Sequence, residues 1–362
     1  MVSPKCIKVL SIAMIVLALT AASWAAKKKK KEDETQILQL PKELPSAVVG
    51  ETRRLAFYVT PLSAKGLLSQ QIRDALKTLE REAGGNTVLE IRAFVAGTGD
   101  LRRVRDLVSE TFSSRRQALP ALSLIRVGGL PLEGAQVVLE AIAASRKDLF
   151  PAGLALIPAQ TVTSENPLDP AMPLAEKSLE GLRTAVQSVG AEAPDVVRVT
   201  CFLSSFDNLA VTRNSIQAAY PHAALDFVEP ERAPSHAAAA CEAVAGLRAI
   251  PRAQAAGQSK VAVLSAPRVV LSSTQESFGY EERDARLAFE RLGRALQAVS
   301  VSLHDVAFAH VYAVSRKTEG QARAMWPESF DPAHPPAASV IPVEGFPSPD
   351  AGFAVDVIAA KD

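Results

Sequence analysis

A twelve-residue motif occurs twice in this chain, and the spacing of its two copies constrains the fold more than any other feature. Residues 120–131 read PALSLIRVGGLP and residues 336–347 read PAASVIPVEGFP, with seven of twelve positions identical at an offset of 216 residues. The same offset relates residues 140–144 (EAIAA) to residues 356–360 (DVIAA). At half that offset, Val196–Phe202 follows the similar stretch Val88–Phe94 by 108 residues. We therefore predict a threefold internal repeat.

The repeat divides most of the chain into three segments, at 51–147, 148–250 and 257–362. In each segment, apolar residues at strand and helix spacing predict the order β-α-β-α-β-β, an α+β unit with two helices on one face of a small sheet. We expect the uncovered sheet faces to be apolar, through the pairs Ile91 and Phe94, Val199 and Phe202, and Phe308 and Val311. Three such faces can cover one another in one chain, which predicts a monomeric pseudo-trimer.

The N-terminus has the layout of an export signal. Lys5 and Lys8 precede an uncharged run at 9–26, and the small residues Ser23 and Ala25 near its end predict cleavage by a signal peptidase after Ala25. We predict a signal peptide at 1–25 and a charged linker at 26–50, with the mature protein periplasmic or secreted. An uncleaved membrane anchor is the alternative, because the run approaches the length that spans a bilayer. Membrane contact is expected only through this N-terminal segment.

Charge and cysteine content exclude two classes of protein. From Glu32 onward there are 33 basic and 39 acidic residues, a net charge of about −6, so no nucleic-acid partner is predicted. Three cysteines are too few for a disulfide-stapled scaffold. Cys201 and Cys241 remain after signal removal, and we expect buried free thiols, with a disulfide as the alternative.

These motifs resemble those of the RidA (YjgF-like, endoribonuclease L-PSP) family. The family signature P-A-R-S-x-V-x-V-x-x-L-P, followed by E-I-E-A-I-A, is similar to residues 120–131 and 138–143, and less closely to 336–339 and 354–359. Residues 270–275 (VLSSTQ) look like the family's early I-I-T-S-G-Q strand. The resemblance implies the chorismate mutase-like fold, and trimers of single domains with a ligand cleft at each subunit boundary. Three fused units would imitate that trimer within one chain.

The resemblance also implies a chemistry that this chain has lost at the matching positions. Family deaminases hydrolyse enamines and imines such as 2-aminoacrylate, with an arginine that grips the substrate carboxylate and a glutamate that positions water. The arginine position is occupied by Leu122, Ala224 and Ala338, where Ala224 is aligned backward from Glu242. The glutamate position is occupied by Val138, Ala240 and Ala354. No catalytic residue of the family type is therefore predicted. We considered Arg126, Arg232 and Arg268 as substitutes for the arginine without assigning that role to any of them.

Other polar residues recur near the predicted boundaries between segments. The acidic positions Glu140, Glu242 and Asp356 persist once per segment, either as polar anchors of the clefts or, as we favour, as ion-pair or hydrogen-bond partners at the boundary. His222 and His334 lie close to the degenerate motifs and are candidates for lining a cleft, with exposed loop positions as the alternative. No metal-ligand spacing and no nucleotide or hydrolase motif occurs, so we predict neither metal nor cofactor.

The sequence leaves three hypotheses for function. The first is a diverged RidA-like envelope protein without deaminase activity that binds a small molecule or a protein partner at clefts between segments. The second is a diverged hydrolase or deaminase that acts on an uncharged imine-type substrate. A ribonuclease, the third, is disfavoured by the net negative charge.

Overall fold

Three β-sheets, each covered by helices, make up the part of the chain that the structure describes. The computed structural model describes residues 41–250 and 261–362, and the residues from Lys42 onward belong to one compact unit. The predicted export signal and most of the predicted linker lie outside the described residues. Among the helices of the described ranges, none is long and apolar enough to cross a membrane. The chain is a mixed α/β protein with several sheets.

The first segment contains four strands and two helices after a short leading strand. The elements are β1 (Ala47–Glu51), β2 (Leu55–Val59), α1 (Leu68–Ala83), β3 (Thr87–Ala96), α2 (Leu101–Ser114), β4 (Ala121–Val127) and β5 (Val137–Ala144). The sheet order is β2-β5-β3-β4, with only β3 and β4 parallel. Helix α1 ends at Gly84, whose φ of +57° is a conformation that glycine adopts without steric cost. Helix α2 begins after Asp100, whose side chain accepts a hydrogen bond from the Arg102 amide.

The middle and third segments repeat this order of elements. The middle segment contains β6 (Leu154–Ser164), α3 (Ala171–Ser188), β7 (Val196–Leu203), α4 (Leu209–Ala219), β8 (Ala224–Val228) and β9 (Ala237–Gly246). The third contains β10 (Ala262–Leu264), β11 (Arg268–Ser272), β12 (Gln275–Phe278), α5 (Glu282–Gln297), β13 (Val306–Ala313), α6 (Arg316–Ala324), α7 (Trp326–Ser329), β14 (Ala337–Pro342) and β15 (Ala351–Lys361). Two helices thus connect β13 to β14, with a proline at the start of the second.

Short strands at the segment boundaries pair with the sheet of a different segment. Strand β1 is antiparallel to β11 of the third segment, and β10 is antiparallel to β6 of the middle segment. At the remaining boundary, the amides of Leu149 and Phe150 donate to the Arg53 carbonyl next to β2. Two sequence-based boundaries were therefore wrong: residues 47–50 are part of a strand rather than of the linker, and β10 completes the middle sheet.

Apolar residues form two kinds of core. One core lies between helices and sheet in each segment, and two further clusters combine residues of all three segments between the sheets. Ile91 packs on the helix side of its sheet, whereas Phe94 packs between the sheets. The prediction that both line the open face was wrong, because strand residues three apart point to opposite faces.

The middle sheet contains a disulfide between Cys201 and Cys241. The two residues lie directly opposite each other on the neighbouring strands β7 and β9, and both are fully buried. Directly opposed residues of antiparallel strands bring their side chains within bonding reach. The expectation of free thiols was wrong, because the strand register was not known from the sequence.

Candidate functional site

A layer of charged side chains lies buried between the three sheets. Strand β3 presents Glu90, Arg92 and Phe94 on the face that meets the other sheets, since strand residues two apart share a face. Thr200 of β7 and His310 of β13 occupy the position of Arg92 in the other two sheets. Each of the three is paired with one of the acidic residues Glu140, Glu242 and Asp356 on the neighbouring strand. The two apolar clusters between the sheets contain the residues on either side of this layer along each strand. The open sheet faces are therefore polar at their middle, which the sequence analysis missed.

Arg92 connects all three segments within this layer. Its guanidinium donates to Glu140 at 2.7 Å, to Glu242 at 2.7 Å and to the Tyr312 hydroxyl at 3.0 Å. Burial lowers the pKa of Arg92, but the two carboxylates outweigh this effect and raise the pKa well above its usual value. The same pairing holds the pKa of Glu242 well below its usual value despite burial. These groups are paired with one another and turned away from solvent, although Oε2 of Glu242 has no hydrogen-bond partner among the described residues.

His310 and Asp356 complete the layer on the side of the third segment. His310 Nδ1 lies 2.8 Å from Asp356 and its Nε2 lies 3.3 Å from Glu242. Burial lowers the pKa of His310, but Glu242 and Asp356 raise it overall to about 9. Ser123 donates to Asp356 at 3.1 Å. The structure thus joins the three predicted acidic positions, Glu140, Glu242 and Asp356, in one network of ion pairs and hydrogen bonds.

Two further buried carboxyls in this region are shifted toward their neutral form. Burial, reinforced by Asp356, raises the pKa of Glu90 to about 7. Burial also raises the pKa of Asp226 well above its usual value. Arg92, Arg198 and His310 lie among these carboxyl groups and pair with Glu140, Glu242 and Asp356. An enclosed layer of paired charges is suited to holding the sheets together rather than to binding a ligand.

The positions that correspond to the family's arginine lie at the edges of the sheets. Leu122 is paired with Ile91 and Ala338 with Ala309, on equivalent strands. The same register in the middle segment pairs Leu225 with Val199. The assignment of Ala224 was therefore wrong by one residue, because the alignment ran backward from Glu242 and the connection between β8 and β9 is one residue shorter than that between β4 and β5. The glutamate positions, Val138, Ala240 and Ala354, are buried in an apolar cluster between the sheets.

An open cleft of about 410 Å³ lies beside Leu122, between the first and third segments. The third segment contributes residues 273–276 and 278, and the stretch 43–46 before β1 contributes a further wall. This stretch is held by the Ser109 hydroxyl, which donates to the Lys42 carbonyl at 2.7 Å, and by the Ser273 amide, which donates to Ser46 at 2.9 Å. The cleft beside the degenerate position is thus open rather than filled.

Two arginines from different helices line this cleft. Arg105 of α2 is exposed, and no hydrogen bond or ion pair to it is found among the described residues. Arg291 of α5 lies over the Phe278 ring, with 4.9 Å from the guanidinium carbon to the ring centroid, and donates to the Glu276 carbonyl. Burial lowers the pKa of Arg291, and nearby Arg294 lowers it further. Both arginines were missed from the sequence because they lie on helices and nothing in the motif around Leu122 indicates which helices border the cleft.

Two carboxyl groups line the same cleft, the exposed Glu43 and the more buried Glu276. Burial raises the pKa of Glu276, against the opposing effects of hydrogen bonds from Ser348 and the charge of Arg105. Its Oε2 is buried and has no hydrogen-bond partner among the described residues. Glu276 directly follows Gln275 in the stretch that resembles the family's early strand, so its location could have been inferred. A carboxyl of raised pKa in a cleft is a candidate general acid or base.

The other polar candidates lie outside this cleft. Arg126 lines a neighbouring cavity of about 560 Å³ and donates to the Gly97 and Gly99 carbonyls, while Arg232 and Arg268 donate to backbone carbonyls of Gly128 and Asp362. His222 and His334 are exposed, and His334 lies 2.9 Å from Asp331. The structure therefore does not bring either histidine to the cleft. Within the described ranges, no cluster of three or more histidine, cysteine or acidic side chains suits a metal ion.

The cleft combines two arginines, an apolar wall and two carboxyl groups, Glu43 and Glu276, of which Glu276 has a raised pKa. The apolar wall includes Leu122, Leu124, Phe278 and Pro347. This combination can hold a small organic molecule with an anionic group directed to the arginines and an apolar body against the wall.

Comparisons with known proteins were made by family, by curated sequence and by solved structure. No family model and no curated protein matches the chain. Among solved structures, similarity is found to an uncharacterized protein from Pseudomonas aeruginosa at 18% identity over 26% of this chain and 84% of that one, with a TM-score of 0.24. A YjgF/YER057c/UK114 family member from Mycobacterium tuberculosis matches at 20% identity over 28% and 84%, with a TM-score of 0.24. RidA from Psychrobacter sp. PAMC 21119 matches at 18% identity over 26% and 80%, with a TM-score of 0.24.

Proposed function

We propose that this chain is an exported, diverged RidA-like protein of three fused units, which packs as a monomeric pseudo-trimer and binds a small organic anion. The sequence repeat and the equivalent strand registers of the three segments support the fusion. The disulfide between Cys201 and Cys241 supports an oxidising compartment, because such bonds persist in exported proteins. The periplasm or the extracellular space is the proposed location.

The ligand site is the cleft beside Leu122, and the two arginines that line it carry this proposal. Arg105 and Arg291 approach from opposite segments, so an anionic group between them would meet a cation on each side. The family's own arginine position is apolar here, which places the ligand's body rather than its carboxylate against Leu122. We therefore expect binding without the family's deaminase reaction, and the purified mature protein should not accelerate hydrolysis of 2-aminoacrylate.

Benzoate is an anion, and benzamide is an uncharged molecule of nearly the same shape. Comparing their affinities tests whether the site selects a negative charge. Calorimetry should show tighter binding of benzoate, and Arg105→Ala should weaken it about 10- to 100-fold, the usual range for a lost charged hydrogen bond. Arg103→Ala, on the same helix but outside the cleft, is the matched control and should leave binding unchanged. Equal affinity for both compounds, or binding of neither, would contradict the proposal.

A hydrolase is the second candidate function, and Glu276 is the observation that favours it. Its raised pKa and unpartnered Oε2 suit proton transfer to or from a bound molecule. If an imine-type compound is hydrolysed, Glu276→Gln should remove the activity while ligand binding persists. Activity that survives this substitution would exclude Glu276 as the general acid or base.

A further inference from the structure

A second cavity lies within the first segment, away from the cleft. It has a volume of about 230 Å³ and lies between the ends of α1 and α2 and the start of β3. Its floor consists of buried apolar side chains, namely Leu76, Leu79, Ala83, Val88 and Phe112. Its rim is polar and includes an ion pair between Glu80 and Arg115 at 2.7 Å. The cavity therefore has an apolar floor below a polar edge.

The first helices of the three segments show how the cavity arises. Their buried residues have the same spacing, as Leu76, Leu79 and Ala83 in α1, Leu179, Leu182 and Val186 in α3, and Phe289, Leu292 and Leu296 in α5. The last position is alanine in the first segment, whereas Val186 and Leu296 are larger and fully packed. The small side chain of Ala83 leaves space that the other two segments fill.

The connection after this helix also contributes fewer apolar side chains to the core in the first segment than in the other two. In the first segment it is Gly84-Gly85-Asn86, which contributes no apolar side chain to the core. The longer connection of the middle segment buries Val189 and Ala191, and that of the third segment buries Val301. Two of three segments thus cover this end of the core with their own aliphatic side chains, and the first does not.

We propose that this cavity is a binding site for an uncharged, compact apolar molecule with one hydroxyl group, of the size of a single ring. The size follows from the volume, because apolar cavities of about 150 Å³ already accept benzene. The lack of charge follows from the rim, where Glu80 and Arg115 neutralise each other. The hydroxyl follows from the polar side chains of the rim, including Thr111 and Gln117. This site is independent of the arginine-lined cleft.

Phenol is the probe, and solution NMR of the mature protein is the measurement. Phenol should shift the signals of Leu79, Val88 and Phe112 and give intermolecular Overhauser effects to their side chains. Ala83→Leu places in the first segment the residue that the third segment has at Leu296, and it should weaken phenol binding at least tenfold. Lys77→Leu adds the same side chain on the exposed side of α1 and should leave binding unchanged.

Three results would overturn the proposal: no shift with phenol, Overhauser effects to other residues only, or equal phenol binding by Ala83→Leu. The Overhauser measurement uses the unchanged protein, so the proposal stays testable even if Ala83→Leu does not fold. Benzoate binding at the cleft should be unaffected by Ala83→Leu, which separates this site from the proposed function.

Discussion

Two regions of this molecule contain arginines beside carboxyl groups, and they differ in what those groups contact. In the layer between the sheets, Arg92 is buried and each of its partners is a residue of this chain. In the cleft beside Leu122, Arg105 is exposed and has no hydrogen-bond or ion-pair partner among the described residues. Paired charges of the first kind hold segments together, whereas the second kind leaves capacity for a ligand. The same residue types thus serve structure in one place and binding in the other.

The largest expected effect comes from breaking the buried layer. Arg92→Met removes the cation between Glu140 and Glu242 and leaves two carboxylates in a buried site. We expect the free energy of unfolding to fall by about 3–5 kcal/mol, as measured by urea denaturation. Arg102→Ala, an exposed arginine of α2, is the control and should change stability by less than about 0.5 kcal/mol. A loss below about 1 kcal/mol for Arg92→Met would show that the layer is not structural.

The disulfide beside the layer should have the next largest effect. Cys201 and Cys241 are next to Thr200 and Glu242, and the bond closes a loop of 40 residues. The double variant Cys201→Ala with Cys241→Ala should lose about 2–4 kcal/mol of unfolding free energy. Reducing agent should destabilise the native protein but leave the double variant unchanged. Insensitivity of both proteins would mean that the bond does not form.

The raised pKa values of His310 and Glu90 in the buried layer predict how the stability of the fold changes with pH. His310, with its pKa raised to about 9, stabilises the fold fully below the usual pKa of histidine, and this contribution is lost as pH rises toward 9. The pKa of Glu90 is raised to about 7 in the folded protein. As the pH rises from the usual pKa of glutamate toward 7, the unfolded chain loses this proton while the folded protein keeps it, so stability falls here as well. Urea denaturation should therefore show a loss of about 2 kcal/mol or more between pH 5.5 and 8.

A matched variant shows whether this pH dependence belongs to the layer. Glu90→Gln cannot ionise, so its stability should fall less between pH 5.5 and 8 than that of the native protein. Stability that rises over this range in the native protein would contradict the assignment of both groups.

The smallest effect on stability is expected in the cleft. Arg105→Ala removes an exposed side chain without an ion-pair partner among the described residues, so stability should change by less than about 0.5 kcal/mol. The same variant should lose benzoate affinity, which separates binding from folding. A destabilisation comparable to that of Arg92→Met would remove the contrast between the two regions.

The order of strands and helices could be predicted from the sequence, because apolar spacing reports directly on local structure. The face of the sheet was predicted wrongly for Ile91 and Phe94. Residues three apart on a strand point to opposite faces, and the sequence analysis placed both on one face. Leu122 was located by its motif, whereas Leu225 was missed because no motif marks β8 and the connection from β8 to β9 is one residue shorter than its counterpart in the first segment.

The cleft was located from the motif around Leu122, but its charged residues were not. Arg105 lies on a helix of the same segment as Leu122, and Arg291 is distant in sequence and reaches the cleft only after the first and third segments have packed. The bond between Cys201 and Cys241 likewise depends on strand register. Local patterns therefore gave the elements, and the missing information was how distant elements face each other.

The pairing of β1 with β11 has a consequence for how the chain folds. Ala47 lies opposite Ser272, so the first strand of the described residues obtains its partner only after two segments have followed it. Contacts of such long range slow folding, because a large loop must close before they form. Until then the edge of β1 stays unsatisfied, and a truncated chain would expose the edge of β11 instead. We therefore expect the described segments to reach their native state together, as one cooperative unit rather than one segment at a time.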